Sequence, residues 1–442
     1  MFSGAFSLDD SIQAAGIRQI DAQVEANRRR MESAALAAAS WHPKSVGIVG
    51  AGAMGVAIAA QAAARGLHIT ITDAAEAARQ TAEQAIADAL RNDYNQPTPA
   101  AEITVMEGLD QIAACDVVVE CVVEDPLVKT PLLRDLEARI NPSTLLTTNT
   151  STLPMARLSR DLSCPERLCG THFFLPLVDR AALELIFSAA GRPETQARAI
   201  RFAQSLDKIP LVAPDSVGFV VNRLMMPYVS EGMQLLTEGV EPAAIEKAAV
   251  DFGMPKGPLS LLDEIGLDTA LDCGWVFAGA YEDRVAVSPL LVAMVKARRL
   301  GSKCGAGFFR YTMDKCGKIE QEADPGATKV VERWIERQDA LSAEQIAARL
   351  FLPMVFEATH LLDETPDLPP GVVDLGVVFG LGMSPGRGGP LFWADTIGAD
   401  RIVELAKPLQ ELGPRMVPPD RVRQMATGAE PPFFGAPRRA TQ

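Results

Sequence analysis

Residues 8 to 40 are polar and Ala-rich with helical periodicity, and Pro43 interrupts them. Val46 to Val49 is then a short apolar, β-branched run ending at glycines, and an Ala-rich stretch of helical character follows from Met54 to Arg65. This pattern predicts strand, tight turn and helix. Gly66 closes the helix, and a second apolar run, Leu67 to Thr72, ends in Asp73. A helical stretch, Ala74 to Asn92, gives way to Pro97 and Pro99. Asp116 to Val123 is a continuous apolar run of the kind buried on both faces of a parallel sheet. A helix from about Leu127 to Ile140 and a strand from Thr144 to Thr148 complete a β-α-β pattern. Past Asp215 the period turns helical, with apolar residues at three- and four-residue spacing from Val217 to Glu238 and Pro227 as a kink.

The first turn carries candidate chemistry. Gly50, Gly52 and Gly55, with Ala53 and Met54 between them, fit a dinucleotide fingerprint. The first glycine allows the turn, the second lets backbone approach a pyrophosphate, and the third lets helix pack on strand. Unpaired N–H groups and the positive end of the helix dipole then face the phosphates. Asp73, at the end of the next strand, can bind a ribose 2′-hydroxyl and would repel a 2′-phosphate, which favours NAD over NADP.

At 442 residues the chain exceeds the size of one hydrophobic core, so two or three domains are predicted. A net charge of -14 disfavours a nucleic-acid binder, and the basic clusters Arg28 to Arg30 and Lys296 to Arg299 read as solvated helix faces. No apolar run reaches membrane-spanning length and the first ten residues lack the regions of a signal peptide, so a cytoplasmic location is the default. Seven scattered cysteines and four histidines show no ligand spacing, and no metal site is predicted.

The strand tips carry polar residues: Glu124 and Lys129 after one, Asn149, Thr150 and Ser151 after another. Ligands of open α/β sheets bind beyond such carboxyl ends. His172 ends the short run Cys169-Gly-Thr-His172, and Glu184 lies in the alternating strand Leu183 to Ile186, where a charge is out of place. Taken singly, the histidine reads as a satisfied core residue and the acid as an edge position.

Taken together with their neighbours, these residues resemble a known family. Gly50-x-Gly-x-Met-Gly55, Val119-Glu-Cys-Val-Val-Glu124 with Lys129, Asn149-Thr-Ser151, His172-Phe-Phe, Glu184 and Gly218-Phe-Val-Val-Asn-Arg223 are similar to the L-3-hydroxyacyl-CoA dehydrogenase family. Gly253-Met-Pro-Lys-Gly-Pro258, Leu262-Asp263, Gly266-Leu-Asp268 and Lys303-Cys-Gly-Ala-Gly-Phe-Phe309 extend the match, which covers roughly residues 45 to 311. The resemblance implies that His172 is a general base, oriented by Glu184, and that Ser151 and Asn222 bind the reacting oxygen or the thioester carbonyl. It also implies that Glu124 and Lys129 line the nicotinamide end and that the substrate is an acyl-CoA. Where the family commonly has His-Phe-Phe-Asn-Pro, Leu175 replaces the asparagine, and the segment from Asp73 to Asp116 is shorter than the family's helical hairpin.

An internal repeat organises the rest. Arg223-Leu-Met-Met-Pro-Tyr-Val-Ser-Glu231 recurs as Arg349-Leu-Phe-Leu-Pro-Met-Val-Phe-Glu357, and Gly257-Pro258 with Asp263 recurs as Gly389-Pro390 with Asp395. Ala348 takes the place of Asn222, so the second copy reads as structural. Tandem copies resemble the C-terminal half of the multifunctional fatty-acid oxidation α-subunit, whose hydratase domain finds no room in the first 44 residues. The predicted organisation is an α/β Rossmann-type NAD-binding domain followed by two tandem all-α C-terminal domains. The boundaries are a helical extension over 1–44, the NAD-binding domain over 45–214, copy one over 215–312, a linker over 313–340 and copy two over 341–442, with a loosely ordered Pro-rich tail after Pro418 whose Phe433 and Phe434 can dock on the domain. Enoyl-CoA hydratase or thiolase subunits are possible partners, and a monomer or a higher assembly both stay open. So do three functions: an NAD-dependent 3-hydroxyacyl-CoA dehydrogenase, a weakly active or non-catalytic assembly subunit, and a dehydrogenase of a hydroxy acid without coenzyme A.

Overall fold

A computed structural model describes residues 5, 6, 8–96, 101–313, 319–336 and 340–435 of the chain. Pro97 and Pro99 lie outside the described residues. The chain divides into two compact units: an α/β unit of residues 21–220 with 379–381, and a helical unit of residues 1–20, 221–378 and 382–442.

The α/β unit is built on one eight-stranded sheet: β1 (Ser45–Val49), β2 (His68–Thr72), β3 (Ile103–Val105), β4 (Val117–Glu120), β5 (Leu145–Thr148), β6 (Leu168–His172), β7 (Ala182–Phe187) and β8 (Ile209–Ala213). Their spatial order is β3-β2-β1-β4-β5-β6-β7-β8. β1 to β6 run parallel, β7 reverses against β6, and β8 runs parallel to β7. The order reverses between β1 and β4, which opens a crevice beyond their carboxyl ends. Every residue of β4, β5 and β6 is buried, as their near-continuous apolar sequences require.

The first long helix, α1 (Asp10–Ala34), is followed by α2 (Ala53–Ala64), α3 (Glu76–Asp93), α4 (Pro126–Arg139), the single turn α5 (Met155–Leu158) and α6 (Pro193–Ser205). Ile58, Ala59, Ala60, Ala62 and Ala63 of α2 are fully buried, so small side chains bring this helix close to the sheet. Asp125 caps α4 by accepting the Leu127 N–H at 2.8 Å, with Pro126 at the first helical position. The strand predicted over 116–123 stops at Glu120, where the Cys121 N–H still reaches Val49 O, and Val123 is exposed at the tip.

The helical unit holds α7 (Val221–Thr237), α8 (Pro242–Phe252), α9 (Pro258–Ile265), α10 (Leu267–Ala280), α11 (Pro289–Lys296), α12 (Pro325–Val331), α13 (Ala343–Glu364), α14 (Pro370–Gly376), α15 (Pro390–Ile397), α16 (Ala399–Ala406) and α17 (Asp420–Thr427). α7 packs along α13, and the repeated Arg and Glu residues pair across the two helices. Arg223 Nε donates to Glu357 at 2.5 Å and Arg349 Nε to Glu231 at 2.7 Å. That reciprocity makes the helices antiparallel and gives the repeat a pseudo-two-fold arrangement. The caps repeat as well. Asp263 accepts the N–H groups of Phe308 and Phe309 at 2.8 and 2.9 Å, and Asp395 accepts those of Phe433 and Phe434 at 3.0 and 2.8 Å.

Three expected spans take a definite form. The tail after Pro418 forms α17 with Val422 buried, and Phe433 and Phe434 dock as expected, their N–H groups donating to Asp395. The span expected as a linker carries β10 (Ile319–Ala323), paired with β9 (Phe309–Met313), and then α12. The helical extension expected over 1–44 forms α1, and its residues are divided between the two units after Ile20. In the helical unit Phe6 packs against Phe252 and Trp393, and Gly16 lies where a Cβ would come within 2.2 Å of Gly386 O. In the α/β unit Asn27 Nδ2 donates to Pro210 O at 2.9 Å.

Candidate active site

The glycines of the first turn are required by geometry. Gly50 has φ +111°, and a Cβ there would meet Cys121 O at 2.6 Å. A Cβ on Gly55 would stand 1.8 Å from Gly50 O. On Gly52 it would meet nothing within 4 Å. Gly52 is the N-cap of α2 and gives its first turn no side-chain acceptor, so the N–H groups around Ala53 and Met54 face that open space. A pyrophosphate fits there, held by N–H groups and the helix dipole. At the end of β2, Asp73 accepts the Ala51 N–H through one carboxylate oxygen and the Ala75 N–H through the other, both at 2.8 Å. The carboxylate is thereby fixed at the rim of the turn, where a ribose hydroxyl can donate to its remaining lone pairs.

His172 closes β6 and sits in register with Glu184 on the reversed strand β7. Its Nδ1 lies 2.7 Å from Glu184 Oε2, with the histidine 3% and the acid 0% exposed. A carboxylate at that distance holds the proton on Nδ1 and leaves Nε2 as the basic nitrogen. Glu184 Oε1 accepts the Val220 N–H at 2.9 Å. The rings of Phe174 and Phe219 stand against the imidazole with centroids 4.6 and 5.5 Å away. Phe219 adopts φ 53°, a left-handed conformation that is costly for an aromatic residue and typical of functional turns. Asn222 follows shortly along the chain, in the first turn of α7, and belongs to the helical unit.

Glu124 holds the loop after β5. Its Oε1 accepts Thr150 Oγ1 at 2.6 Å, the Ser151 and Thr152 N–H groups at 2.9 Å, and Thr152 Oγ1 at 3.1 Å. Burial works to raise this carboxyl, but the Lys129 ammonium and those donors outweigh it and hold it below the ordinary carboxylate range. Asn149 in the same loop accepts the Phe173 N–H at 3.0 Å. The loop bearing Ser151 is thus tied both to β4's tip and to the segment after His172.

Lys129 is placed differently from the expectation. It is 1% exposed, and its Nζ donates to Glu120 at 2.8 and 3.1 Å and to Val122 O at 3.2 Å, with Glu124 at 3.5 Å. It therefore acts on the protein from beneath the site rather than lining a ligand surface. Its main partner, Glu120, was missed. That acid is fully buried in β4 and also accepts Thr148 Oγ1 at 2.6 Å and the Val122 N–H at 2.7 Å. The signal available was a charge inside an otherwise apolar run. Among the described residues no group of three or more His, Cys, Asp or Glu is placed to hold a metal ion. No helix among them is long and apolar enough to cross a membrane.

Comparison with known proteins decides the family. Residues 45–216 match the model of the 3-hydroxyacyl-CoA dehydrogenase NAD binding domain, and residues 218–311 match that of the 3-hydroxyacyl-CoA dehydrogenase C-terminal domain. The chain is 30% identical to FadB2 of M. tuberculosis over 62% of its own length and 100% of that chain, with a TM-score of 0.59. The chain belongs to the 3-hydroxyacyl-CoA dehydrogenase family. A second relative, (S)-3-hydroxybutyryl-CoA dehydrogenase PaaH1 of Ralstonia eutropha, is 32% identical over 61% of this chain and 99% of that one, at a TM-score of 0.55. The fold likeness extends past the first helical copy. The structure of 3-hydroxybutyryl-CoA dehydrogenase from Escherichia coli K12 aligns over 88% of this chain and 100% of its own, at 24% identity and a TM-score of 0.72. As a member of the 3-hydroxyacyl-CoA dehydrogenase family the protein is an NAD-dependent oxidoreductase. The turn at Gly50, Gly52 and Gly55 with Asp73 suits NAD.

Proposed function

We propose that the protein oxidises an L-3-hydroxyacyl-CoA to the 3-ketoacyl-CoA, as in fatty-acid β-oxidation, in the cytoplasm. The observation that carries this reading is the buried His172–Glu184 contact of 2.7 Å at the carboxyl end of β6. His172 Nε2 takes the proton of the 3-hydroxyl, and Glu184 stabilises the imidazolium that results. NAD, when bound, supplies the acceptor for the hydride that leaves the same carbon. Ser151 and Asn222 bind the reacting oxygen or the thioester carbonyl, and the Glu124 clamp keeps Ser151 in place.

One observation favours a second reading, in which the substrate is a hydroxy acid without coenzyme A. Among the described residues a single helix, α3, lies between β2 and β3, and its two arginines are committed. Arg79 donates to the carbonyls of Asp73 and Ala74, and Arg91 pairs with Asp88. Few cations there remain for the phosphates of coenzyme A.

The test is NADH formation from L-3-hydroxybutyryl-CoA, a longer L-3-hydroxyacyl-CoA and the free acids, with His172→Ala and NADP as controls. A positioned general base is worth about 10²- to 10⁴-fold, so His172→Ala should raise the barrier by roughly 3 to 5 kcal/mol. Turnover of the free acids alone moves the second reading forward, and an unimpaired His172→Ala enzyme removes the base assignment.

A further inference from the structure

The two repeat-related arginines of α7 and α13 are not equally satisfied. Arg349 uses all three nitrogens of its guanidinium: Nε donates to Glu231 at 2.7 Å, and Nη1 and Nη2 donate to Glu238 at 2.7 and 3.0 Å. Its counterpart Arg223 has Nε on Glu357 at 2.5 Å and Nη2 paired with Glu364 at 2.7 Å, but Nη1 is buried with no acceptor. The counterpart carboxylates are shared with another cation, since Arg284 donates Nη1 to Glu357 at 3.1 Å and Nη2 to Glu364 at 3.2 Å. Arg223 is 1% exposed, so bulk water does not reach the idle nitrogen. A charged donor buried without an acceptor calls for a ligand that completes it.

Arg223 lines a cavity inside the helical unit, where α7 and α13 meet the end of α10 and the turn at Pro414. The centre of a water-sized sphere has about 20 Å³ there, room for one water or one monatomic ion and too little for a phosphate. The charged walls are unbalanced: the guanidiniums of Arg223, Arg284 and Arg415 stand against one carboxylate, Glu357. Glu364 and Glu231, which also pair with these arginines, do not line the cavity. His360 in the wall adds no charge near neutrality, because burial and the Arg284 guanidinium push it below its ordinary 6.5. The Tyr281 ring holds two of the cations together, with the guanidinium carbons of Arg223 and Arg284 at 4.7 and 5.1 Å from its centroid. A water in this space needs acceptors for its own hydrogens, and both Glu357 oxygens are already engaged. An anion needs donors alone. We propose that the cavity binds one halide ion of the chloride class, accepted by Arg223 Nη1 and faced by Arg284 and Arg415. The ion ties the two helical copies together, and the helical unit is stabilised by chloride.

The test has a crystallographic arm and a solution arm, both on the full chain. Crystals of the unmodified protein in sodium bromide should show an anomalous peak within hydrogen-bonding reach of Arg223 Nη1. In solution, thermal unfolding is compared in sodium chloride and sodium gluconate at equal ionic strength, which keeps screening the same. With a Kd of about 10 mM, chloride at about 100 mM should raise the folded-to-unfolded ratio of the helical unit by about tenfold over gluconate. Arg284→Gln removes one facing cation and keeps the pairing of Arg223 with Glu357 and Glu364. Loss of a charge-assisted contact should weaken binding about tenfold, which cuts the chloride effect to about twofold. A water at the site in place of bromide overturns the proposal, and needs no variant to fold. So does a chloride effect that persists in full in Arg284→Gln. A bromide peak without any chloride effect in solution marks binding at crystal concentration only, and overturns it equally.

Discussion

Glu120→Gln is the sharpest probe of how the site is supported. The substitution keeps the shape of a fully buried side chain and removes its charge, leaving the Lys129 ammonium with Val122 O at 3.2 Å and Glu124 at 3.5 Å. Removing one partner of a buried pair costs about 3–5 kcal/mol, because the remaining charge is uncompensated. For a domain near the size of the α/β unit each kcal/mol lowers Tm by about 2–4 °C, so a fall of roughly 6–20 °C is predicted. The assay is calorimetry, with urea unfolding followed in parallel so that the transitions of the two units are told apart. The double replacement Glu120→Leu with Lys129→Met removes both charges and should recover most of the loss. A shift smaller than about 1 kcal/mol in Glu120→Gln, or a double variant as unstable as the two single ones added, would refute the reasoning.

Gly52→Val and Gly55→Ala should separate cofactor binding from folding: the first, pointing into open space, weakens NAD binding at unchanged Tm, and the second, 1.8 Å from Gly50 O, lowers Tm as well. Equal effects in calorimetry and NAD titration would contradict this. Asp73→Ala should raise the NADP to NAD ratio of kcat/KM, since the carboxylate that repels a 2′-phosphate is gone. An unchanged ratio in initial-rate assays would count against it. Glu124 titrates below its ordinary value of 4.5 in the folded protein, so its contribution is fully present above pH 4.5 and is lost as pH falls beneath it. The stability gap between the unmodified protein and Glu124→Gln should therefore close below pH 4.5, and a gap independent of pH would exclude the mechanism.

The parts of the fold legible in the sequence are those whose signal is local. The run Val46 to Val49, the glycine turn and the small-residue helix α2 carry their own periodicity, and β1, α2 and β2 fall where that pattern predicts. The Arg and Glu of the repeat were legible as a repeat, but their reciprocal pairing across two antiparallel helices was not. What escaped depends on contacts far along the chain. Glu120 looked like part of an apolar strand until Lys129 and Thr148 were seen around it. Lys208 in Asp207-Lys-Ile-Pro210 carries no local sign of burial, and only the distant carbonyls of Leu177 and Arg180 account for its ammonium. The β9–β10 pair lies in polar sequence where neither period stands out, whereas Phe433 and Phe434 stood out as the aromatic pair of the Pro-rich tail. The pairing of His172 with Glu184 came from the family resemblance and not from a local pattern, since it needs the reversal of β7.

The central claim is hydride transfer from the 3-carbon of a hydroxyacyl thioester with His172 as base. The most direct measurement uses an L-3-hydroxyacyl-CoA carrying deuterium on that carbon, with NAD and the purified full chain. The account predicts reduced cofactor carrying the label on its nicotinamide ring, formed together with the 3-ketoacyl-CoA, and slowed by orders of magnitude in His172→Ala. Binding of NAD without any label transfer from the thioester would contradict it.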